Sequence, residues 1–413
     1  MPARGHGPDT FDVLVLDGAT RQGLTAVRSL GRAGLRVAAG EHAGDCDAAG
    51  RALAFRSRYC ARSVVLPDLD ADATAFGVAV VDFVRANPTG MVLPGGDGAI
   101  AAMRPWRDEL ARLGCALAIA PEPALDIASD KDRTLEIAEK LGIACPRTML
   151  IDGEDRLDEV LAEFEFPFVL KPITSWTPEA DGRLHAAEVV SRAEAASILG
   201  RCRALGIGCL AQEYAAGSRE GFFFLVVAGE IRASWAHLAH RTLPALGGAS
   251  VLRQSIALPR DTYGPAADLV RAIGLEGPCE VEFRRDASGR PLLMEINARL
   301  GGTIENALLS GLDFTLMTWQ WATGRPVPQA GGYRPGVRTR WLRGDMRWLR
   351  NNYGRAGRPD SVPAARALAM FAAEFARTRH YDCLDVRDPG PSLAELRMTI
   401  TGIRNARRTA RAR

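Results

Sequence analysis

The 413-residue sequence predicts an α/β protein with three parts: a doubly wound parallel domain, a second α/β body around an acidic hairpin, and a helical C-terminal extension. Three observations carry this reading. The chain opens as strand, glycine-containing loop, helix and strand, which is how a parallel sheet begins. Residues 279–302 read as two strands whose carboxylates share one face, because side chains alternate along a strand. After Gly324 the composition turns to Arg, Trp and Tyr and then to an Ala-rich stretch with Met and Phe at helical spacing.

Taken in order, residues 1–10 read as a disordered tail and 11–122 as the first domain. Phe11–Leu16 is an apolar strand, 24–33 a helix, and 36–39 a second strand. The intervening loop has Gly18 and Gly23 with no glycine between them, so it lacks the spacing of a dinucleotide-binding turn. Strands follow at 63–66 and 91–94, with a helix over 73–86 between them. Leu93-Pro94-Gly95-Gly96-Asp97-Gly98 ends a strand in a glycine-rich loop, the kind of position where open α/β sheets bind ligands. Residues 123–330 form the second body. It begins with two short helices over 124–141, for which Ser129 or Asp130 is the N-cap. Residues 148–151, 168–170 and 209 onward read as strands of a smaller unit spanning about 148–213. A hairpin over 222–236, a loop over 239–250 and a helix over 261–273 lead into the acidic hairpin. Helices over 306–311 and 314–323 follow, then the extension over 331–403 and a basic tail over 404–413, read as disordered.

Chemistry concentrates in the hairpin. Glu280 and Glu282 share a face of its first strand, and Glu295 and Asn297 share a face of its second. Acids embedded among Val281, Phe283, Leu292, Leu293, Met294 and Ile296 need a partner, since a buried charge is costly alone. Glu282, Glu295 and Asn297 on one side make the hard-oxygen set that magnesium takes. Arg299 adds a cation suited to a phosphate or carboxylate. Lys171, which closes an apolar strand, is either a surface lysine or a phosphate contact.

Five segments in this order and spacing resemble the ATP-grasp superfamily: Ser129-Asp130-Lys131, Phe168–Pro172, Gln212–Gly217, Val281-Glu282-Phe283 and Met294–Arg299. The resemblance covers about residues 11–325, and is closest in flavour to the carbamoyl-phosphate synthetase large chain and to stand-alone carboxylate–amine ligases. It implies an ATP-grasp fold preceded by a pre-ATP-grasp domain. Lys131 and Lys171 would contact ATP phosphates. Gln212, Glu213, Tyr214 and Ala215 would form the hinge that reads adenine, with Glu220, or failing it Arg219, at the ribose. Glu282, Glu295 and Asn297 would carry two magnesium ions, Arg299 would face an acyl phosphate, and Arg241 with Gly247-Gly248 would meet the γ-phosphate or the second substrate. Residues 173–185 contain one glycine, Gly182, where the superfamily has a glycine-rich phosphate-covering loop. The implied reaction activates a small-molecule carboxylate as an acyl phosphate and joins it to an amine, releasing ADP and phosphate. A homodimer is compatible with this reading.

Rival readings are a non-catalytic nucleotide-binding or regulatory protein on the same fold, and a nucleic-acid- or membrane-associated protein acting through the basic C-terminal region. A net charge of +3 is too small to favour nucleic acid. The eight cysteines are scattered without metal-site spacing and read as reduced thiols of a cytoplasmic protein without a membrane span.

Overall fold

The structure is a computed structural model and describes residues 10–46, 52–151, 156–173, 186–244, 248–355 and 357–411. Its first sheet comprises β1 (Val13–Val15), β2 (Val37–His42), β3 (Cys60–Leu66), β4 (Met91–Leu93) and β5 (Ala116–Leu117). Helices α1 (Arg21–Arg32), α2 (Ala73–Ala86), α3 (Asp97–Met103) and α4 (Arg107–Arg112) lie between them. All strands are parallel in the order β3-β2-β1-β4-β5, so the chain winds outward from β1 in both directions. Such a sheet needs apolar strands with both faces covered. Val13, Leu14 and Val15 are accordingly fully buried. The loops after β1 and β4 meet at the carboxyl edge, where Gly95 N donates to Asp17 Oδ2 at 2.7 Å.

Helices α5 (Ala124–Ser129) and α6 (Lys131–Lys140) follow, and Asp130 is the N-cap that accepts from Asp132 N and Arg133 N. A small antiparallel sheet comes next, ordered β6-β9-β7-β8: β6 (Thr148–Ile151), β7 (Phe168–Pro172), β8 (Ala187–Val189) and β9 (Cys209–Glu213). Helices α7 (Leu157–Glu163) and α8 (Arg192–Ala204) give it a separate core around Phe164, Phe168, Leu170 and Cys202. From residue 174 on, the glycine-poor loop lies outside the described residues.

The large sheet begins with β10 (Arg219–Val227), β11 (Glu230–Leu243) and β12 (Ala249–Ile256). After α9 (Arg260–Ile273) it gains β13 (Gly277–Arg285) and β14 (Pro291–Asn297). Side-chain alternation on β10 serves two cores. Phe222 and Phe224 pack in one with Leu269 and Val270 of α9. Phe223 packs in the other, touching Phe314 of α11 (Phe314–Ala322), which follows α10 (Ile304–Ser310). Of residues 239–250, expected as a loop, 239–243 instead lengthen β11 and Ala249 and Ser250 start β12, with register shifts around Arg241 that absorb the irregularity; 245–247 lie outside the described residues.

The extension is not purely helical. It adds β15 (Arg338–Arg340) and β16 (His380–Tyr381) to the large sheet, completing the order β14-β13-β10-β11-β12-β15-β16. Its helices are α12 (Leu342–Tyr353), α13 (Ala364–Arg377) and α14 (Pro389–Arg411), and the backbone of 404–411 continues α14 rather than ending in a disordered tail. On α12 the buried positions are Gly344, Asp345, Trp348 and Asn352, one helical stripe; Tyr353 falls off it and is half exposed. Buried ion pairs tie the extension down. Asp345 accepts from Arg241 at 2.6 Å and Arg340 at 2.7 Å. Asp382 holds Arg21 and Arg253, each at 2.6 Å, and Asp388 holds Arg28 at 2.8 Å. No described helix is long and apolar enough to cross a membrane, and all eight cysteines are free.

Candidate active site

Antiparallel pairing of β13 with β14 sets Glu280 opposite Asn297 and Glu282 opposite Glu295, with a bulge directly after Glu282. Directly opposed residues share a face, so three carboxylates and an amide converge. Val281 and Ile296 between them enter the apolar core on the other side. Glu280 and Glu282 are buried. Burial, and then the neighbouring Glu282, push the Glu280 carboxyl up to about 8. Burial likewise raises Glu282 against the pull of Arg219. Burial acts the same way on Glu295, but the Lys171 and Lys131 ammonium groups outweigh it and hold this carboxyl below its ordinary value.

Four cations from different segments reach this cluster. Lys171, at the end of β7, donates to Met294 O at 2.8 Å and stands 3.7 Å from Glu295 Oε2. Lys131, the first residue of α6, donates to Ile173 O at 3.3 Å; burial and then Lys171 draw its ammonium down to about 8. Arg299 grips Asp97 at 2.5 and 3.2 Å and also reaches Asn297 Oδ1 at 3.2 Å. The glycine-rich loop after β4 is thereby joined to the hairpin. Arg219 bonds Glu282 at 2.5 Å and Gly248 O at 2.5 Å. Gly301 lets the turn after β14 close down, since a Cβ there would meet Glu280 Oε2 at 2.5 Å.

Glu282, Glu295, Asn297 and Arg299 thus stand together as expected, lining a cavity of about 580 Å3. Lys131 lines an adjoining pocket of about 130 Å3 with Glu295 and Asn297. Gln212 is turned into the small sheet, donating to Thr148 Oγ1 at 3.1 Å, and Glu213 N donates to Arg147 O at 3.0 Å. Ala215 is buried, and Tyr214 lies under the Arg284 guanidinium, 5.4 Å from its ring centre. The structure brings two expected residues elsewhere. Glu220 alternates away from the carboxylate face and pairs with Arg285 at 2.7 Å, beside Asp261 of α9. Arg241 is buried against Asp345 and stacks 4.7 Å from the Trp348 ring centre, so its charge anchors α12.

Two further residues complete the cluster. Glu280 was visible in the Glu-x-Glu spacing. Arg219 was considered only for the ribose, because its contact with Glu282 depends on the β10–β13 register across 63 positions.

A family model described as "ATP-grasp in the biosynthetic pathway with Ter operon" matches residues 248–344. No curated protein matches the chain by sequence. Among solved structures, a biotin carboxylase from Campylobacter jejuni aligns with TM-score 0.61 at 15% identity, over 79% of this chain and 74% of that one. An L-amino acid ligase from Bacillus licheniformis aligns with TM-score 0.59 at 19% identity, over 79% and 78%. The biotin carboxylase domain dimer of Hydrogenobacter thermophilus 2-oxoglutarate carboxylase, solved with MgADP, ADP and bicarbonate, aligns with TM-score 0.60 at 14% identity, over 81% and 74%.

Proposed function

The chain has the ATP-grasp fold, and from that premise we propose that it is an ATP-dependent ligase that activates a carboxylate as an acyl phosphate and joins it to an amine. The observation that carries this reading is the convergence of Glu280, Glu282, Glu295 and Asn297 with Lys171 and Arg299 at one cavity. Carboxylates that burial, and then their neighbouring carboxylates, raise call for a compact cation, and the all-oxygen donor set fits magnesium. Glu282, Glu295 and Asn297 are the residues that would hold it, with Glu280 beside them, and two ions fit the charge available. Bound there, magnesium would neutralise the phosphate oxygens during phosphoryl transfer.

The remaining work is positioning. Lys131 and Lys171 are point charges for the ATP phosphates, held by backbone carbonyls so that their ammonium groups need no reorganisation. Residues 212–215 supply the backbone edge for adenine. Arg299, braced by Asp97, faces the carboxylate that attacks the γ-phosphorus, and orients the acyl phosphate for displacement by the amine. Arg241 and Glu220 take no part. A cytoplasmic location accords with the free cysteines.

The test is incubation of the full-length chain with Mg-ATP and pools of carboxylates and amines, read as ADP release and as new product mass. Hydroxylamine in place of the amine traps an acyl phosphate as its hydroxamate. ADP release that no carboxylate stimulates would count against the reading.

A further inference from the structure

The cavity over the carboxylate cluster is not closed by the ATP-grasp body alone. Trp341, Arg343 and Arg347, from the start of α12, form part of its wall, together with Glu395 and Met398 of α14. The other arginines lining it have carboxylate partners. Arg21 is paired with Asp382, Arg219 with Glu282 and Arg299 with Asp97. Among the described residues neither Arg343 nor Arg347 is in an ion pair.

Glu395 on that wall feels the Arg343 charge, but among the described residues the two form no ion pair. Glu395 accepts from Trp341 Nε1 at 2.7 Å, and its own carboxyl is raised by burial. Arg343 and Arg347 lie four positions apart on one helix, so they share a face and repel each other. Burial and then Arg343 lower the Arg347 guanidinium. Arg343 sits in the first turn of a 12-residue helix, where the backbone adds further positive potential. Two planar forks whose hydrogen-bond donors have no partner among the described residues are a receptor for an anionic group of three or four oxygens.

Resting on the carboxylate-activating reading above, we propose that Arg343 and Arg347 bind a second anionic group of the acid substrate. The substrate class is then an acid with at least two negative groups, one phosphorylated at Arg299 and one held by α12. A second carboxylate and a phosphate monoester share this chemistry. The extension therefore acts as the specificity-determining wall of the cavity.

The experiment uses the full-length chain with Mg-ATP, hydroxylamine, and panels of monocarboxylates, dicarboxylates and phosphorylated carboxylates, followed by ADP and hydroxamate release. Dianionic acids are expected to be used with higher kcat/KM than their singly charged analogues. The dicarboxylate and phosphorylated arms identify the second group. The R343Q/R347Q variant should raise KM for that acid by about tenfold or more while leaving kcat and the KM for ATP near wild type, since the lost bonds are made equally in ground and transition states. R343K/R347K should recover part of the loss. R347Q alone, at an exposed position, guards against misfolding of the double variant and should give a smaller rise in KM. Equal use of monocarboxylates, an unchanged KM for the acid, or a rise confined to the KM for ATP would each overturn the proposal while leaving carboxylate activation intact. Failure of every acid to stimulate ADP release would instead remove the reading beneath it.

Discussion

At the level of single residues, replacing Glu295 by Gln keeps the shape of the hairpin but removes a charge that an amide oxygen cannot match at a divalent cation. Turnover should fall by about two orders of magnitude or more, with the melting temperature of the nucleotide-free protein little changed. Magnesium-dependent ADP release by the folded variant is the measurement, and near-normal rates would dismiss the metal assignment. Glu305 makes a different kind of prediction. It is buried in α10, accepts from Thr25 Oγ1 at 2.9 Å, and burial raises its carboxyl from the usual 4.5 to about 7. Between those values the folded protein holds a proton that the unfolded chain has lost, so stability falls as pH rises through this window, and the deficit persists above it. Glu305→Gln keeps an acceptor for Thr25 without the charge. It should therefore melt above wild type at pH 8, by an amount reflecting a penalty on the order of a few kcal/mol, and much closer to wild type at pH 5. Thermal denaturation at both pH values decides this.

At the level of elements, α12 stands on a shared ion: Asp345 is fully buried between Arg241 and Arg340. Asp345→Ala leaves two buried guanidinium groups uncompensated and should cost about 3–5 kcal/mol, a loss typical of removing one partner from a buried pair. Arg241→Met should cost less and leave the KM for ATP unchanged; a selective rise in that KM would restore Arg241 to the phosphate site. Chemical denaturation and nucleotide titration read the two effects separately. The same element shows where sequence stops being legible. The hairpin could be read because strand alternation is local: Glu-x-Glu and Glu-x-Asn each declare a face within three residues. The first domain could be read because its strands are apolar runs between helices. Arg241 was misplaced because a bulged strand edge carries the Gly and Pro of a loop. Glu220 was misplaced because family spacing says nothing of a neighbouring arginine, and Arg285 captures it from the adjacent strand. Arg343 and Arg347 read from sequence only as the flanks of an apolar helical stripe, since only tertiary packing turns them toward the cavity.

Across the whole molecule, the extension belongs to the body. Removing everything after residue 330 would strip β15 and β16 from the large sheet and leave Arg21, Arg28, Arg253 and Arg241 without their carboxylates. That fragment should be insoluble or aggregated, whereas removal of 404–413 should leave solubility and ADP release unchanged, because among the described residues the last buried ion pair is the one at Asp388. Size-exclusion chromatography of the two truncations separates these outcomes, and a monodisperse, active 1–330 fragment would refute the account. The pairing of Arg28 with Asp388 spans 360 positions, which sets an order of events during synthesis. Helix α1 leaves the ribosome with two guanidinium groups that the folded protein will bury, and their counter-charges are translated some 360 positions later. The N-terminal sheet can collapse early, but its packing against the rest cannot be locked until Asp382 and Asp388 have emerged. A chain cut short by translational arrest or proteolysis therefore carries its own defect marker, two stranded charges at an unfinished interface.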